Sequence, residues 1–136
     1  MSLQIVQAAT AASHDAPEEY FTGSVKLTPL VTANEPSCLS CLSVTFQPGA
    51  RTAWHSHPKG QLLIVTAGSG YIQAEGKPVE RISAGMTIWT PPGVKHWHGA
   101  EPTAMMTHTA VQEGTDGEPA IRWMEKVTEE EYRRGV

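Results

Sequence analysis

Hydrophobic and polar residues alternate in short runs through the middle of the chain. Leu42, Val44 and Phe46 share one parity, and a second strand-like run occupies 61–68. Successive side chains of a strand point to opposite faces, so such runs predict strands with one buried face. Glycine and proline interrupt them at close spacing, which is typical of an all-β sandwich or barrel. The predicted strands are 39–47, 51–57, 61–67, 70–75, 78–82, 86–90, 96–100 and 105–113.

The two ends of the chain follow other patterns. In the N-terminal part, Asp15 is placed to cap a short helical turn. An edge-type strand follows at 21–31, where Pro29 argues against a central position. In the C-terminal part, Thr128 and Glu131 form the capping-box pattern of a short surface helix. We therefore predict one domain, 1–136, with an N-terminal arm 1–38, a barrel core 39–113 and a tail 114–136.

Two short motifs are given their simplest interpretation. The residues 68–70, Gly-Ser-Gly, resemble a phosphate-binding loop, but a strand follows them, which favours a hairpin turn. Cys38 and Cys41 form C-x-x-C, which is only half of a zinc site and lacks a βαβ context. We interpret these cysteines as two small, semi-buried residues.

Composition and charge exclude several classes of partner. The 136 residues include 12 glycines and 10 prolines, as expected for many short strands and turns in one domain. The net charge is −4 with no basic block, so nucleic acid and anionic membranes are not expected partners. No apolar run reaches the length of a membrane span. No Lys or Arg precedes Lys26, so the positive region of a secretory signal is missing and we expect a cytoplasmic protein.

Histidines supply the candidate chemistry. His55 and His57 share one face of a predicted strand, and a turn at 58–60 brings Gln61 close to them. His96 follows a Pro-Gly turn and starts another strand, so it is the candidate for a further ligand. Imidazole suits zinc, copper, iron, nickel and cobalt, and a carbonyl oxygen adds manganese. Gln61 either binds the metal or donates hydrogen bonds beside it. A neutral amide in place of carboxylate leaves more positive charge on the metal, which makes it a stronger Lewis acid.

Further polar residues are expected near this site. His98 shares parity with His96, and His108 shares a face with Met106, Ala110 and Gln112. A buried neutral histidine beside an open coordination position is a natural general base, so His108, Gln112 and His98 are the candidate catalytic residues. The alternative for His108 is a core histidine satisfied by a backbone partner. The expected pocket is mostly apolar and suits a small aromatic or aliphatic ligand; its predicted lining is Leu42, Val44, Phe46, Leu63, Val65 and Met106.

Two tryptophans are expected on the outside of the barrel. Trp54 and Trp97 each adjoin a candidate ligand histidine, so their side chains point away from the metal. Large indoles on a barrel surface need a cover. The N-terminal arm or a neighbouring subunit would provide it, and we favour a homodimer or homotetramer.

The two histidine-bearing segments resemble the two motifs of the cupin family. The first motif is matched by Gly49, His55, His57, Gln61 and Gly68, with Gln61 where the family usually has Glu. The second is matched by Gly85, Pro91, Gly93 and His96, with Ala100 in place of Asn. The resemblance implies a single cupin barrel, a double-stranded, jelly-roll-like β-helix, with a short N-terminal arm and a short C-terminal helix.

A closer resemblance, to the bacterial cupin-type hydroxynitrile lyases, spans nearly the whole chain. It is carried by the segments 21–23, 48–55, 60–61, 65–68, 95–100 and 106–108, and Gln in the usual Glu position is shared with that group. These lyases are small manganese-dependent barrels that cleave or form cyanohydrins. The resemblance implies a metal held by His55, His57, Gln61 and His96, with His108 handling a proton.

Two other functions fit the same pattern. An iron, copper or nickel cupin can act as a dioxygenase, with oxygen in an open position of a histidine-rich site. A non-catalytic cupin would bind a small ligand tightly and turn it over negligibly. A sugar isomerase is less attractive, because the expected pocket has few polar groups for hydroxyls.

Overall fold

The computed structural model describes residues 3–115 and 117–136. Met1 and Ser2, at the start of the predicted arm, and Asp116, in the predicted tail, lie outside the described residues. The described part contains twelve strands and one helix: β1 (His14–Asp15), β2 (Phe21–Thr22), β3 (Val25–Val31), β4 (Leu39–Phe46), β5 (Arg51–Thr52), β6 (His55–Ser56), β7 (Gln61–Ala74), β8 (Glu80–Ser83), β9 (Thr87–Thr90), β10 (His96–Ala100), β11 (Met106–Glu113), β12 (Arg122–Trp123) and α1 (Glu129–Arg133).

The strands form one strongly curled sheet that folds into two layers. Its order is β1-β3-β4-β11-β7-β10-β5-β2, and β6, β8, β9 and β12 pair at its sides. The first half of β7 pairs with β11 and β9 in one layer, and its second half pairs with β10 and β8 in the other. Phe46, Leu63, Val65 and Met106 fill the space between the layers. The prediction of an all-β barrel with a short C-terminal helix is confirmed.

The hairpin turn predicted at 68–70 is wrong, because β7 continues through these residues. Gly68 has a φ of 72°, and a Cβ there would lie 1.9 Å from the Met105 carbonyl oxygen. Only glycine accommodates both the positive φ and this close approach. The Gly-Ser-Gly sequence therefore bends a single strand from one layer into the other, beside a register shift at 107–108 of β11.

The helical turn predicted after Asp15 is also wrong. Asp15 lies in β1 and pairs with Lys26 of β3. A tight turn follows, in which the Tyr20 N–H donates to the Pro17 carbonyl at 3.1 Å. The single strand predicted at 21–31 is divided, since β2 pairs with β5 in one layer while β3 pairs with β4 in the other. The predicted strand 51–57 is likewise divided into β5 and β6, and His57 follows β6.

The tail covers the outer face of the second layer. Helix α1 has the predicted capping box, in which Thr128 accepts from the Glu131 N–H. Its buried residue Tyr132 packs with Trp54, Tyr71, Trp97 and Val127. The cover of the two tryptophans is therefore the chain's own tail, and our prediction of an arm or a neighbouring subunit over them is wrong. Over the described residues, no helix is long and apolar enough to cross a membrane.

Candidate metal centre

Three histidines converge because of how β6, β7 and β10 meet. His55 of β6 and His96 of β10 are directly opposite in an antiparallel pair, and their ring centroids are 4.3 Å apart. Residues at such positions have adjacent side chains on the same face of the sheet. The His57 ring lies 5.1 Å from His55 and 5.5 Å from His96. All three side chains are buried.

Backbone carbonyl groups determine the tautomer of each of these histidines. Nδ1 lies 2.9 Å from the Ala53 carbonyl in His55, 2.9 Å from Ala120 in His57 and 3.0 Å from Val94 in His96. A carbonyl oxygen only accepts, so each Nδ1 must carry the proton and each Nε2 must carry a lone pair. The Nε2 of His57 is buried and has no hydrogen-bond partner among residues 3–115 and 117–136. Histidines that ligate metal are typically oriented by such hydrogen bonds from the other ring nitrogen.

Gln61 at the start of β7 directs its carboxamide oxygen towards these rings. Its Nε2 donates to Gln112 Oε1 at 3.2 Å, and Gln112 Nε2 donates to Ser40 Oγ at 3.0 Å. Gln61 Oε1 lies 3.3 Å from His96 Nε2. The His96 proton is on Nδ1, so two hydrogen-bond acceptors face each other in a buried site. A cation between two such lone pairs removes their repulsion, so these residues fit a bound metal.

His98 of β10 lies beside the same cluster. The nitrogen atoms of His55, His96 and His98 lie within 4.8 Å of one another, and this group can hold a metal ion. The group differs from the predicted one, because His98 takes the place of His57. His98 Nδ1 lies 3.0 Å from His108 Nε2, so its tautomer is tied to another imidazole instead of to a backbone carbonyl. We favour His57 as a metal ligand for this reason.

A single proton lies between His98 Nδ1 and His108 Nε2, which are 3.0 Å apart. Both side chains are buried, and His98 Nε2 and His108 Nδ1 have no hydrogen-bond partner in the described part of the chain. Because each ring is neutral, only one of the two facing nitrogens carries hydrogen. Phe46 packs against both rings, with centroids 5.9 Å from His98 and 5.3 Å from His108.

Burial keeps the histidines of the site neutral. It lowers the pKa of His96 and of His108 to about 4, and those of His55 and His98 well below the usual 6.5. Burial also lowers the pKa of His57. Removing an imidazolium from water costs more than removing a neutral ring, which is why all five shifts have the same sign. At neutral pH the cluster therefore presents lone pairs, as a metal requires.

We expect the metal-free protein to lose stability as the pH falls from about 6.5 towards 4. An unfolded histidine titrates near 6.5, whereas His96 and His108 in the folded chain titrate at about 4. Between these two pH values the unfolded chain binds more protons than the folded chain, so the free energy of unfolding decreases as the pH decreases. The decrease levels off near the pKa of the folded chain. Each group contributes on the order of 2–3 kcal/mol to the loss.

Urea unfolding at a series of pH values across this window measures the effect. The free energy of unfolding of the variant His108→Leu should depend less steeply on pH, because one titrating histidine has been removed. A free energy of unfolding that stays constant across the window would contradict the prediction.

An apolar cavity of about 270 Å³ opens beside the histidines. Leu42, Val44 and Phe46 line it as predicted. The prediction is wrong for three further residues, Leu63, Val65 and Met106. They lie in the closed half of the barrel, where side chains fill the space, and their exposure is 0–1%. The polar groups at the cavity wall are Thr52, His55, Gln61, His98, His108 and Gln112.

Sequence reasoning missed the aromatic mouth of this cavity. Tyr20 from the N-terminal part stacks on Trp123 of β12, with ring centroids 4.7 Å apart and planes within 7°. Trp123 also lies 4.9 Å from the His55 ring, and Phe21 meets it edge-on at 5.5 Å. Strand β12 is held in place by pairing Trp123 with His55. The available signal was a tryptophan in a tail without strand-like alternation, which by itself does not indicate a position.

The fold and the site together define a small β-barrel protein with an interior histidine cluster that can hold a metal. The chain belongs to the cupin family, since the Cupin domain matches residues 42–111.

Individual relatives extend this assignment over nearly the whole chain. The chain is 54% identical over 132 residues to an (R)-mandelonitrile lyase of Granulicella tundricola, covering 97% of this chain and all of that protein. A cupin-like protein from Thermotoga maritima has a TM-score of 0.85 at 41% identity and covers 90% of this chain and 92% of its own. The polyketide cyclase of Streptomyces resistomycificus shares the fold, with a TM-score of 0.77 at 17% identity over 97% of this chain and 92% of that one.

Proposed function

We propose that this protein is a divalent-metal-dependent lyase that cleaves and forms cyanohydrins of small aromatic or aliphatic carbonyl compounds. The observation that carries the proposal is the approach of Gln61 Oε1 to the unprotonated Nε2 of His96, beside an apolar cavity that also contains His108. The likeness to an (R)-mandelonitrile lyase over 97% of the chain supports this reaction class.

His55, His57 and His96 would hold the metal through Nε2, and Gln61 through Oε1. Manganese is our first candidate, because a carboxamide oxygen joins the imidazoles; iron, cobalt, nickel, copper and zinc also accept this donor set. When bound, a divalent cation supplies Lewis acidity that lowers the pKa of a substrate hydroxyl. Gln112 acts as a positioning residue, since its hydrogen bond to Gln61 turns the carboxamide oxygen towards the histidines.

His108 would handle the proton of the reaction. In the tautomer in which its Nε2 donates to His98, the Nδ1 of His108 has a lone pair, and none of the residues that the structure describes hydrogen-bonds to it. This atom accepts the hydroxyl proton of the cyanohydrin, the carbonyl forms, and the bond to cyanide breaks with its electron pair on cyanide. The proton then passes from Nδ1 to cyanide, which leaves as hydrogen cyanide. His98 keeps the imidazole of His108 oriented.

The cavity would hold the organic group of the substrate. Its walls are mostly aliphatic and aromatic, and a volume of about 270 Å³ suits a small aryl or alkyl group.

Elemental analysis of the purified protein, with mandelonitrile cleavage measured before and after manganese loading, tests the proposal. Oxygen consumption with a catechol or flavonol and no cyanide release would identify a dioxygenase instead. Tight ligand binding with neither reaction would identify a binding protein.

We expect the variant Trp123→Ala to lose selectivity for aromatic substrates. The indole forms the mouth of the cavity with Tyr20, and its loss removes an aromatic contact and admits water. The kcat/KM for mandelonitrile should fall by about tenfold, which corresponds to one aromatic contact, while that for acetone cyanohydrin changes little.

The control for this prediction is Tyr20→Phe, which preserves the stacked ring and should leave both values close to those of the parent. Equal losses for the two substrates in Trp123→Ala would show that the indole supports the site as a whole and does not select the substrate.

A further inference from the structure

Three polar residues form one row across the inner face of the first layer. Gln112 of β11 is directly opposite Ser40 of β4 on one side and Gln61 of β7 on the other. Residues at such positions have adjacent side chains on the same face of a sheet. Gln61 and Gln112 line the apolar cavity, and Gln112 and Ser40 line a groove at the surface beside Tyr20. The row therefore connects the candidate metal centre with the surface of the protein.

The hydrogen bonds along this row all run in one direction. The Ser40 hydroxyl donates to the backbone carbonyl of Gln112 at 3.4 Å, and a carbonyl oxygen only accepts. The hydroxyl therefore offers a lone pair to the side chain of Gln112, whose Nε2 donates to it at 3.0 Å. Gln112 Oε1 is then left to accept from Gln61 Nε2 at 3.2 Å. The last group in the row, Gln61 Oε1, faces His96.

The direction matters because a carboxamide has two orientations, which exchange its oxygen and its nitrogen. Only the oxygen offers lone pairs, so the reversed Gln61 would present an NH2 donor to a cation. Reversal of Gln61 alone would also bring two carbonyl oxygens together at its contact with Gln112. Reversal of both residues would place Gln112 Oε1 against the Ser40 hydroxyl, which would have to give up its bond to the backbone. A polar group left unpaired in a buried site destabilises that arrangement.

We propose that Ser40 is a positioning residue, which acts through Gln112 to hold the carboxamide oxygen of Gln61 towards the metal. The inference rests on the proposed function, in which Gln61 Oε1 is a ligand. Gln112 cannot select a direction by itself, since its carboxamide donates from one end and accepts at the other in either orientation. Ser40 is half-buried, so water would replace its hydroxyl in an alanine variant. Water donates and accepts equally well and has no fixed bond to the backbone, so the preferred direction would be lost.

Affinity for manganese, measured by competition with a chelator, tests the proposal with the full-length chain. Ser40→Ala should raise the Kd about three- to tenfold, which is the range for one hydrogen bond. Ser40→Thr keeps the hydroxyl in a residue that suits a strand, so its Kd should equal that of the parent. Ser43→Ala is the matched control, because Ser43 lies in the same strand on the opposite face, and it should also keep the parental Kd.

A double-mutant cycle with Gln112→Leu separates an effect through Gln112 from a general disturbance of β4. Gln112→Leu should raise the Kd by about 10- to 100-fold, as expected for a group that orients a ligand. Ser40→Ala added to Gln112→Leu should then have no further effect, because the residue through which Ser40 acts is gone. Parental affinity in Ser40→Ala, an equal loss from Ser40→Ala in both backgrounds, or a loss in Ser40→Thr as large as that in Ser40→Ala would overturn the proposal.

Proton exchange of the Gln61 carboxamide, measured by NMR in the metal-free protein, tests the role of Ser40 apart from the proposed function. Ser40→Ala should speed this exchange about three- to tenfold, whereas Ser43→Ala should leave it unchanged. A protein that binds no manganese or cleaves no cyanohydrin would refute the proposed function, and the exchange rates would still decide whether Ser40 orients Gln61. Unchanged exchange in Ser40→Ala would overturn that role even in a protein that binds manganese.

Discussion

The variant His57→Ala is expected to lose its bound metal during dialysis that the parent protein survives. His57 supplies a buried Nε2 that no other described residue hydrogen-bonds, and its Nδ1 is fixed by the Ala120 carbonyl at 2.9 Å. Changes to groups that only orient a ligand already cost about 10- to 100-fold in metal affinity, so removal of a ligand should cost at least about 100-fold. Metal content by elemental analysis and affinity by competition with a chelator measure the loss.

The same experiment distinguishes the two possible histidine groups. His98→Ala should retain metal if His55, His57 and His96 are the ligands, and His14→Ala is a control for the loss of an exposed histidine. A metal-free His98→Ala protein with a metal-replete His57→Ala protein would assign the ion to the group His55, His96 and His98 instead. The thermal shift caused by added manganese gives an independent measure, because a ligand stabilises the folded state in proportion to the logarithm of its concentration over Kd.

Local spacing was sufficient to predict that His55, His57 and His96 lie close together. His55 and His57 share the parity of a predicted strand, and His96 follows a Pro-Gly turn that starts another. The motifs give each histidine its inward direction, and the antiparallel pairing of β6 with β10 then places His55 directly opposite His96. The same reasoning places His108 and Gln112 on the inner face of β11, because that strand alternates without interruption from 106 to 113.

Positions that depend on contacts distant in sequence could not be predicted in this way. Gly68 looks like a turn residue, but its conformation is set by the Met105 carbonyl beside it, and the chain continues as a strand. Asp15 has the local pattern of an N-cap, yet pairing with Lys26 of β3 stabilises an extended backbone instead. Local preferences are weak compared with the hydrogen bonds and burial that a neighbouring strand provides.

The residues that cover the two tryptophans and the cavity could not be predicted from local sequence either. Trp97 and Trp54 had to be covered, and parity indicated their direction, but the sequence contains no local signal that Tyr132 would pack there. Trp123 lies in a tail with no clear pattern of its own, and its position follows from a two-residue pairing with β6. The aromatic mouth of the cavity, which we expect to select the substrate, therefore became visible only in three dimensions.

The variant His108→Ala is expected to keep its metal and lose turnover. His108 is not among the proposed ligands, and the hydrogen bond that its side chain makes within the described part of the chain is to His98 at 3.0 Å. Loss of a positioned general base typically reduces the rate by about 100-fold or more, so kcat for mandelonitrile cleavage should fall by at least that factor. KM should change little, because the remaining cavity walls still hold the aryl group. Elemental analysis and steady-state kinetics on the same preparation measure both quantities.

A second substitution separates proton transfer from packing. His108 is fully buried against Phe46, so alanine leaves a cavity that can disturb the site, whereas His108→Leu restores most of the volume. If His108 transfers the proton, both variants should be slow. Both should also lose any pH dependence of kcat that the parent shows. Recovery of activity in His108→Leu, or parental activity in His108→Ala, would remove His108 from the reaction. The proton would then have to be accepted elsewhere, and His98 Nε2 is the remaining buried nitrogen at the cavity that is outside the proposed ligand set and has no hydrogen-bond partner in the described residues.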